Sequence, residues 1–282
     1  MADIAAKLAP ALHASGFDVL APLNTRWYNG LLIELGLATD STAYLEESGE
    51  QHASGEGAFS LAPLPDFGRE GGALAFIVGN SRALWHAFLG WLAEQPDGAS
   101  TSNPIDTFTA MAIERAVQEV AAGARADIFW ASDMSRERLV DMNRAALVSG
   151  LTYFSEDMFL SVHPTFGAWV AFRAVVVLDL PATHLGDAPE RLPPLLSERE
   201  AAEARKAFDE ALRASSEVEL TVDGMPLDIA HKWAAMRDCV GRGREHKYSA
   251  LQSEYHYTKD TRLLTRALAE MWQTAEAGGN DA

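Results

Sequence analysis

One arginine stands where its surroundings would exclude it. Residues 168–178 (AWVAFRAVVVL) are apolar at every position except Arg173. A guanidinium is seldom buried without a partner. Arg173 therefore either pairs with a structural carboxylate, with Asp133 and Asp157 as candidates, or receives an anion in a pocket. Composition leaves both open. Trp169 lies four residues earlier and would share a face with Arg173 on a regular strand, because side chains repeat every two positions. An aromatic plate beside a guanidinium suits a flat, partly anionic ligand, although a core tryptophan is the plainer account. A second concentration of positive charge runs from 237 to 266, with Arg237, Arg242, Arg244, Lys247, Lys259, Arg262 and Arg266 against four acids. Cys239, followed by VGRGR, could be a thiol activated by that charge, or a small helix-packing residue, which is the plainer account.

Familiar catalytic signatures are missing. The chain has no Gly-rich nucleotide loop, GxSxG elbow, HExxH or paired-cysteine metal site, and its eight histidines repeat no ligand spacing. The expectation is that no side chain serves as catalytic acid, base or nucleophile, and that none holds a metal.

The elements that must position these residues follow from pattern. A helix over 2–15 is interrupted by Pro10 and ended by Gly16, and Asn24 caps a second helix. Residues 38–72, rich in Gly, Ser, Glu and Asp, read as a long surface excursion. A buried strand over 72–80 precedes a helix that Ser81 would cap, and Asn103-Pro104 starts another helix that runs to Gly123. A short strand at 126–133 leads to a helix over 135–150. Strand-like runs at 158–162 and 168–180, joined by HPTFG, read as a β-hairpin, so that 161–180 forms one arm of a small-molecule pocket. A Pro-rich linker follows. Ser197 then caps a charged helix, and further helices fall near 226–240, 247–257 and 259–276. This order predicts an α+β fold.

With 282 residues, the chain can bury a substantial core. A net charge of −17 argues against nucleic-acid or anionic-membrane partners, and no apolar run is long enough to span a bilayer. The N-terminus does not read as a signal peptide, and one cysteine fits a reducing compartment, so the expected localisation is cytoplasmic.

The pattern His163-Pro164-x-Phe166-Gly167-x-Trp169-x-Ala171-x-Arg173 resembles the central signature of the CblC-type (MMACHC-like) cobalamin-processing proteins. The likeness continues in order: Gly16, Phe17, Val19, Trp27, Tyr28, Asn29, Leu31 and Leu32 upstream, then Leu74, Ala75, Phe76 and Val78. It takes in Asn103, Pro104 and Asp106, residues 145–150, Arg237-Asp238, Tyr248-Ser249, Tyr255 and Arg262. Roughly residues 10–268 are covered, apart from 38–72 and the linker.

The resemblance implies a flavin nitroreductase-like antiparallel sheet flanked by helices, with a helical C-terminal cap. It divides the chain into a core at 1–180, a linker at 181–196 and a cap at 197–282. It implies removal of the upper axial ligand of cobalamin, by alkyl transfer to glutathione or by reductive decyanation, with reduced FMN as one electron source. Arg173, Arg237 and Arg262 match the family's glutathione-contacting arginines. Phe166, Gly167, Trp169, Phe172 and Tyr248 are implied on the corrinoid side, as are Phe154 and Glu156, which stand where the family's run differs. The implied partners are a corrinoid and glutathione, with the chain a monomer or homodimer. Leu147 stands where the family's best-known members have a histidine, and TYFSED replaces their aromatic, glutamine-bearing run. Two other functions stay open: a flavin- or cobalamin-dependent reductase of another organic substrate, and a non-catalytic cobalamin chaperone.

Overall fold

Two sequence runs carry apolar residues at both odd and even positions, and these become the two central strands of a sheet covered on both faces. In a computed structural model the described residues are 2–37, 61–96, 103–218 and 224–279. The order is α1 (Ala2–His13), β1 (Val19–Asn24), α2 (Thr25–Glu34), β2 (Ala73–Asn80), α3 (Leu84–Ala93), α4 (Pro104–Val120), β3 (Ala126–Trp130) and α5 (Met142–Val148). Then come β4 (Tyr153–Ser155), β5 (Leu160–Val162), β6 (Ala171–Pro181), α6 (Glu198–Ser216), α7 (Leu227–Asp238), α8 (Ala250–Thr258) and α9 (Thr261–Gly279). The α+β class expected from the sequence is the one found.

The sheet order is β1-β2-β6-β3, antiparallel throughout. Alternation divides the core. Leu74, Phe76, Val78, Ala174, Val176 and Leu178 meet α1, α3 and α4, and Leu251, Tyr255 and Leu264 of α8 and α9 join that layer. Ala75, Ile77, Val175 and Val177 face α2 and α5 on the other side. A third cluster ties β5 to α6 and α7 through Leu160, Val162, Ala204 and Met236.

The ladder between β2 and β6 is irregular at two points, between Ala73 and Leu74 and between Val78 and Gly79. Val78 pairs with Ala174 and Gly79 pairs with Phe172, which leaves Arg173 as the extra residue of a β-bulge. The bulge reverses the alternation, because Ala174 packs in the α4 layer while Phe172 packs against the α5 layer. A glycine is required opposite it, since a Cβ on Gly79 would lie 2.7 Å from the Ala171 carbonyl oxygen.

Several expectations are corrected. Residues 161–180 are not a hairpin. β5 pairs with β4, β6 pairs with β2 and β3, and only an isolated bridge between His163 and Gly167 closes the HPTFG turn. Trp169 precedes β6 instead of lying on it. Residues 135–141 hold only a short turn at 136–138, and the helix expected from 135 begins at Met142, capped by Asp141. α3 is capped at Ala83, although the Ser81 hydroxyl accepts the Ala83 N–H at 3.2 Å. Of the expected surface excursion, 38–60 lies outside the described residues. The rest is tied down: Leu61 and Leu64 are buried, and Asn29 exchanges two hydrogen bonds with the Leu64 backbone at 2.8 and 2.9 Å. Asn24 does cap α2, and Ser197 and Glu200 form a capping box on α6.

Candidate functional site

The bulge aims Arg173 out of the regular pleat, toward α4 and α8. Its Nε donates to Asn80 Oδ1 at 2.7 Å, and among the described residues no carboxylate forms an ion pair with it. Neither suggested partner serves: Asp133 pairs with Arg138 at 3.4 Å, and Asp157 lies 3.7 Å from Arg205. Burial works against the Arg173 charge; Tyr248, Asp106 and Tyr255 favour it, and Arg237 opposes it.

Arg237, at the end of α7, stands among rings. Its guanidinium carbon lies 5.7 Å from the Trp169 ring centroid, 6.0 Å from Tyr248 and 5.6 Å from Tyr257. Cations over aromatic faces are stabilised by the ring quadrupole, but no ring replaces a hydrogen-bond acceptor. Among the described residues, Arg237 Nη1, Trp169 Nε1 and the Tyr248 hydroxyl are buried without a well-formed hydrogen bond, although Arg237 lies close enough to act on the Tyr248 phenol both by charge and as a donor. Unsatisfied buried polar atoms are uncommon and mark groups awaiting a partner.

A third cation completes the set. Lys259, left-handed at the C-terminal cap of α8, lies over Tyr255 at 5.9 Å. Burial and the Arg173 charge lower its pKa. His256 is held neutral, far below the ordinary histidine range, by burial and by Arg237, Lys259 and Arg173.

Beside this cluster opens a cavity of about 660 Å³, walled mainly by apolar side chains and reached by Phe172, Arg237, His256 and Tyr257. A second cavity of about 210 Å³ lies on the other side of Arg173, and Ala131 lines both.

Of the residues selected from the sequence, Phe172 and Arg237 line the large cavity, and Trp169 and Tyr248 pack together behind it with ring centroids 5.3 Å apart. Arg173 and Tyr248 line a narrow cleft between the sheet and α8. Arg262 stands apart: its side chain is 89% exposed and pairs with Asp260 at 2.7 Å. Phe154 and Glu156 surround Arg144, and Phe154 contacts Phe159 on the cavity wall at 6.0 Å. Phe166 stacks on His163 and meets His246 edge to face, each ring 4.8 Å away. Gly167 has φ +59, and a Cβ there would lie 1.8 Å from the Arg242 carbonyl oxygen, so it serves to seat the 242–243 backbone. Cys239 is not activated: burial pushes its thiol up, and Glu203 and Asp238 push it further. Among the described residues no three His, Cys, Asp or Glu side chains are grouped to hold a metal, and no helix is long and apolar enough to cross a membrane.

Sequence reasoning missed Lys259, His256 and Tyr257 as site residues, because a charged stretch between helices reads as surface. It also missed the bulge, whose available signal was Gly79 inside an otherwise solid strand.

His163 organises the turn below the site. Its Nδ1 accepts the N–H groups of Thr165 and Phe166 at 3.1 and 3.2 Å, which requires that nitrogen to be unprotonated. Burial, with a smaller contribution from His246, lowers its pKa to about 4 from an ordinary 6.5, while Asp18 acts in the opposite direction. The unfolded chain therefore takes up the proton first as pH falls. The stabilisation is complete above pH 6.5 and is lost on acidification toward 4. In His163→Asn the side-chain oxygen can accept the same two bonds without titrating. Denaturant melts at pH 7 and 5 should show a smaller loss of stability for this variant than for the parent; equal losses would refute the role.

No protein-family model matches the chain. No curated protein matches it either. Among solved structures, it is similar to CblC of C. elegans, a B12-trafficking protein and homologue of human MMACHC. The TM-score is 0.60 at 16% identity, over 94% of this chain and 96% of that one. At that identity the likeness establishes a shared fold. An epoxyqueuosine reductase from Bacillus subtilis aligns with a TM-score of 0.44 and 11% identity, over 87% of this chain and 66% of that one.

Proposed function

We propose that the protein is a cobalamin-processing enzyme that removes the upper axial ligand of the corrinoid, with glutathione as the acceptor of alkyl groups. The observation that carries this is the pair Arg173 and Arg237, two inward cations that form no ion pair among the described residues, beside a broad apolar cavity. The fold shared with a B12-trafficking protein supports it. Residues 197–282 act as the cap that completes the pocket.

Glutathione brings two carboxylates and one ammonium, and planar guanidinium forks grip carboxylates at two points. Lys259 is better placed than Arg262 as a third cation, since Arg262 would first have to leave Asp260. Positive charge favours the thiolate over the thiol, with the proton released to solvent. The sulfur electron pair attacks the alkyl carbon in line. A sulfur–carbon bond forms, and the cobalt–carbon bond breaks with both its electrons left on cobalt. The products are a thioether and cob(I)alamin. The chain supplies positioning and a dry site, which explains why no acid, base or nucleophile is needed. Phe172 offers flat surface to the corrinoid, backed by the buried pair Trp169 and Tyr248, and Phe154, Glu156, Phe166 and Gly167 support the walls around it. Decyanation needs an external electron donor. The unneutralised cations also fit the phosphate of FMN, the donor that the resemblance implies.

The test is optical. Methylcobalamin mixed with the protein should shift to the base-off spectrum, and anaerobic glutathione should then produce cob(I)alamin. No shift with any corrinoid would refute the proposal. Binding without thiol-dependent turnover would replace it with a cobalamin chaperone. A yellow protein that oxidises a nicotinamide cofactor would replace it with a flavin reductase.

A further inference from the structure

The cavity of about 210 Å³ on the far side of Arg173 is lined by Asp106, Thr109, Trp130, Ser132 and Arg173, among others. It holds opposite charges that do not meet. Asp106, in the first turn of α4, favours the Arg173 charge across this space. Yet among the described residues its carboxylate forms no ion pair and no side-chain hydrogen bond. A cation and an anion facing one polar cavity without touching leave room for a ligand that carries the reverse pair. The ammonium and carboxylate on one carbon of an amino acid are such a pair.

We infer that this cavity is the seat of an α-amino-acid end group, with Arg173 holding the carboxylate and Asp106 holding the ammonium. This rests on the glutathione reading above and orients the peptide within it. The γ-glutamyl end, which alone carries a free α-amino group, enters the small cavity. The peptide runs past Ala131, which lines both cavities, so that the cysteinyl sulfur is directed into the large one. Arg237 is on the wall of the large cavity, which no acid lines among the described residues, and its neighbour Asp238 is paired with Lys247. Arg237 takes the lone glycine carboxylate. Asp106 is thus a specificity-determining residue that selects thiols bearing a γ-glutamyl group.

The structural alternative is that Asp106 only complements the positive end of the α4 dipole, where acids are favoured. Asp106→Asn would then change stability slightly and treat all thiols alike. Calorimetric titration with S-methylglutathione, which has no thiol to react, separates the two. Replacing a charge-assisted bond by a neutral amide should weaken its binding roughly ten- to hundredfold. Binding of S-methyl-cysteinylglycine, which lacks the γ-glutamyl group, should change less than about twofold by the same argument. Equal weakening of both ligands, no change in either, or no binding of S-methylglutathione by the parent protein would each overturn the inference. Parent binding with selective loss in Asp106→Asn, but without demethylation of methylcobalamin, would uphold the cavity assignment and refute the reaction proposed above.

Discussion

Arg173→Gln is expected to lower kcat/KM for glutathione by on the order of a hundredfold or more while leaving corrinoid affinity and melting temperature nearly unchanged. The dissociation follows from where the side chain stands. Its only hydrogen-bond partner among the described residues is Asn80 Oδ1, which an amide N–H can also serve, so little folding energy rests on the guanidinium. Burial already disfavours its charge, and removing that charge relieves repulsion from Arg237 and Lys259 while giving up the favourable influence of Tyr248, Asp106 and Tyr255, so the two offset. What the glutamine cannot do is offer a charged fork to a carboxylate, and a bound anion then faces a half-empty socket. Thiol kinetics with methylcobalamin, spectral titration of the corrinoid and a thermal melt decide the matter together. Parallel loss of all three would make Arg173 a structural residue.

Gly167→Ala should instead unfold the region. An L side chain at φ +59 is strained by about 1–2 kcal/mol. Here the added carbon also meets a carbonyl oxygen at 1.8 Å, and backbone cannot yield as the end of a flexible side chain would. Across the contact, a Cβ on Gly243 (φ +66) would lie 2.3 Å from the Phe166 carbonyl carbon. The two glycines let the 163–167 turn press directly on the segment that leads to Tyr248. A destabilisation of about 3 kcal/mol or more is expected, with corrinoid binding lost in proportion. Gly243→Ala should behave alike, and the double variant should cost less than the sum, because either substitution already forces the same two backbone segments apart. A Gly167→Ala protein that melts like the parent, yet fails to bind corrinoid, would show that the glycine meets ligand and not backbone.

What the sequence disclosed and what it hid divide along physical lines. The strand at 73–80 and the apolar run ending in β6 were readable because both faces are covered, which leaves no polar alternation to confuse them. Caps at Asn24 and Ser197 were readable because capping chemistry is local. Partnership was not. Propensity says that 160–162 and 171–181 are extended, but which strand lies beside which depends on contacts distant in sequence, and β4 and β2 won over the adjacent run. The shared face assigned to Trp169 and Arg173 failed because alternation counts from a regular strand, and a bulge resets it. Both residues still border Tyr248 by different routes. Lys259 was hidden for another reason: nothing in a local pattern of charges says which one the fold turns inward.

The bulge at Arg173 also partitions one strand into regions under different constraint. Beyond it, Ala174 to Leu178 pair regularly on both edges, and any change in volume there must be absorbed by two helical layers at once. Before it, Val170 to Phe172 line the large cavity, where a substitution alters what is held without disturbing the sandwich. Specificity can drift across that seam from one descendant to the next while the scaffold is inherited whole.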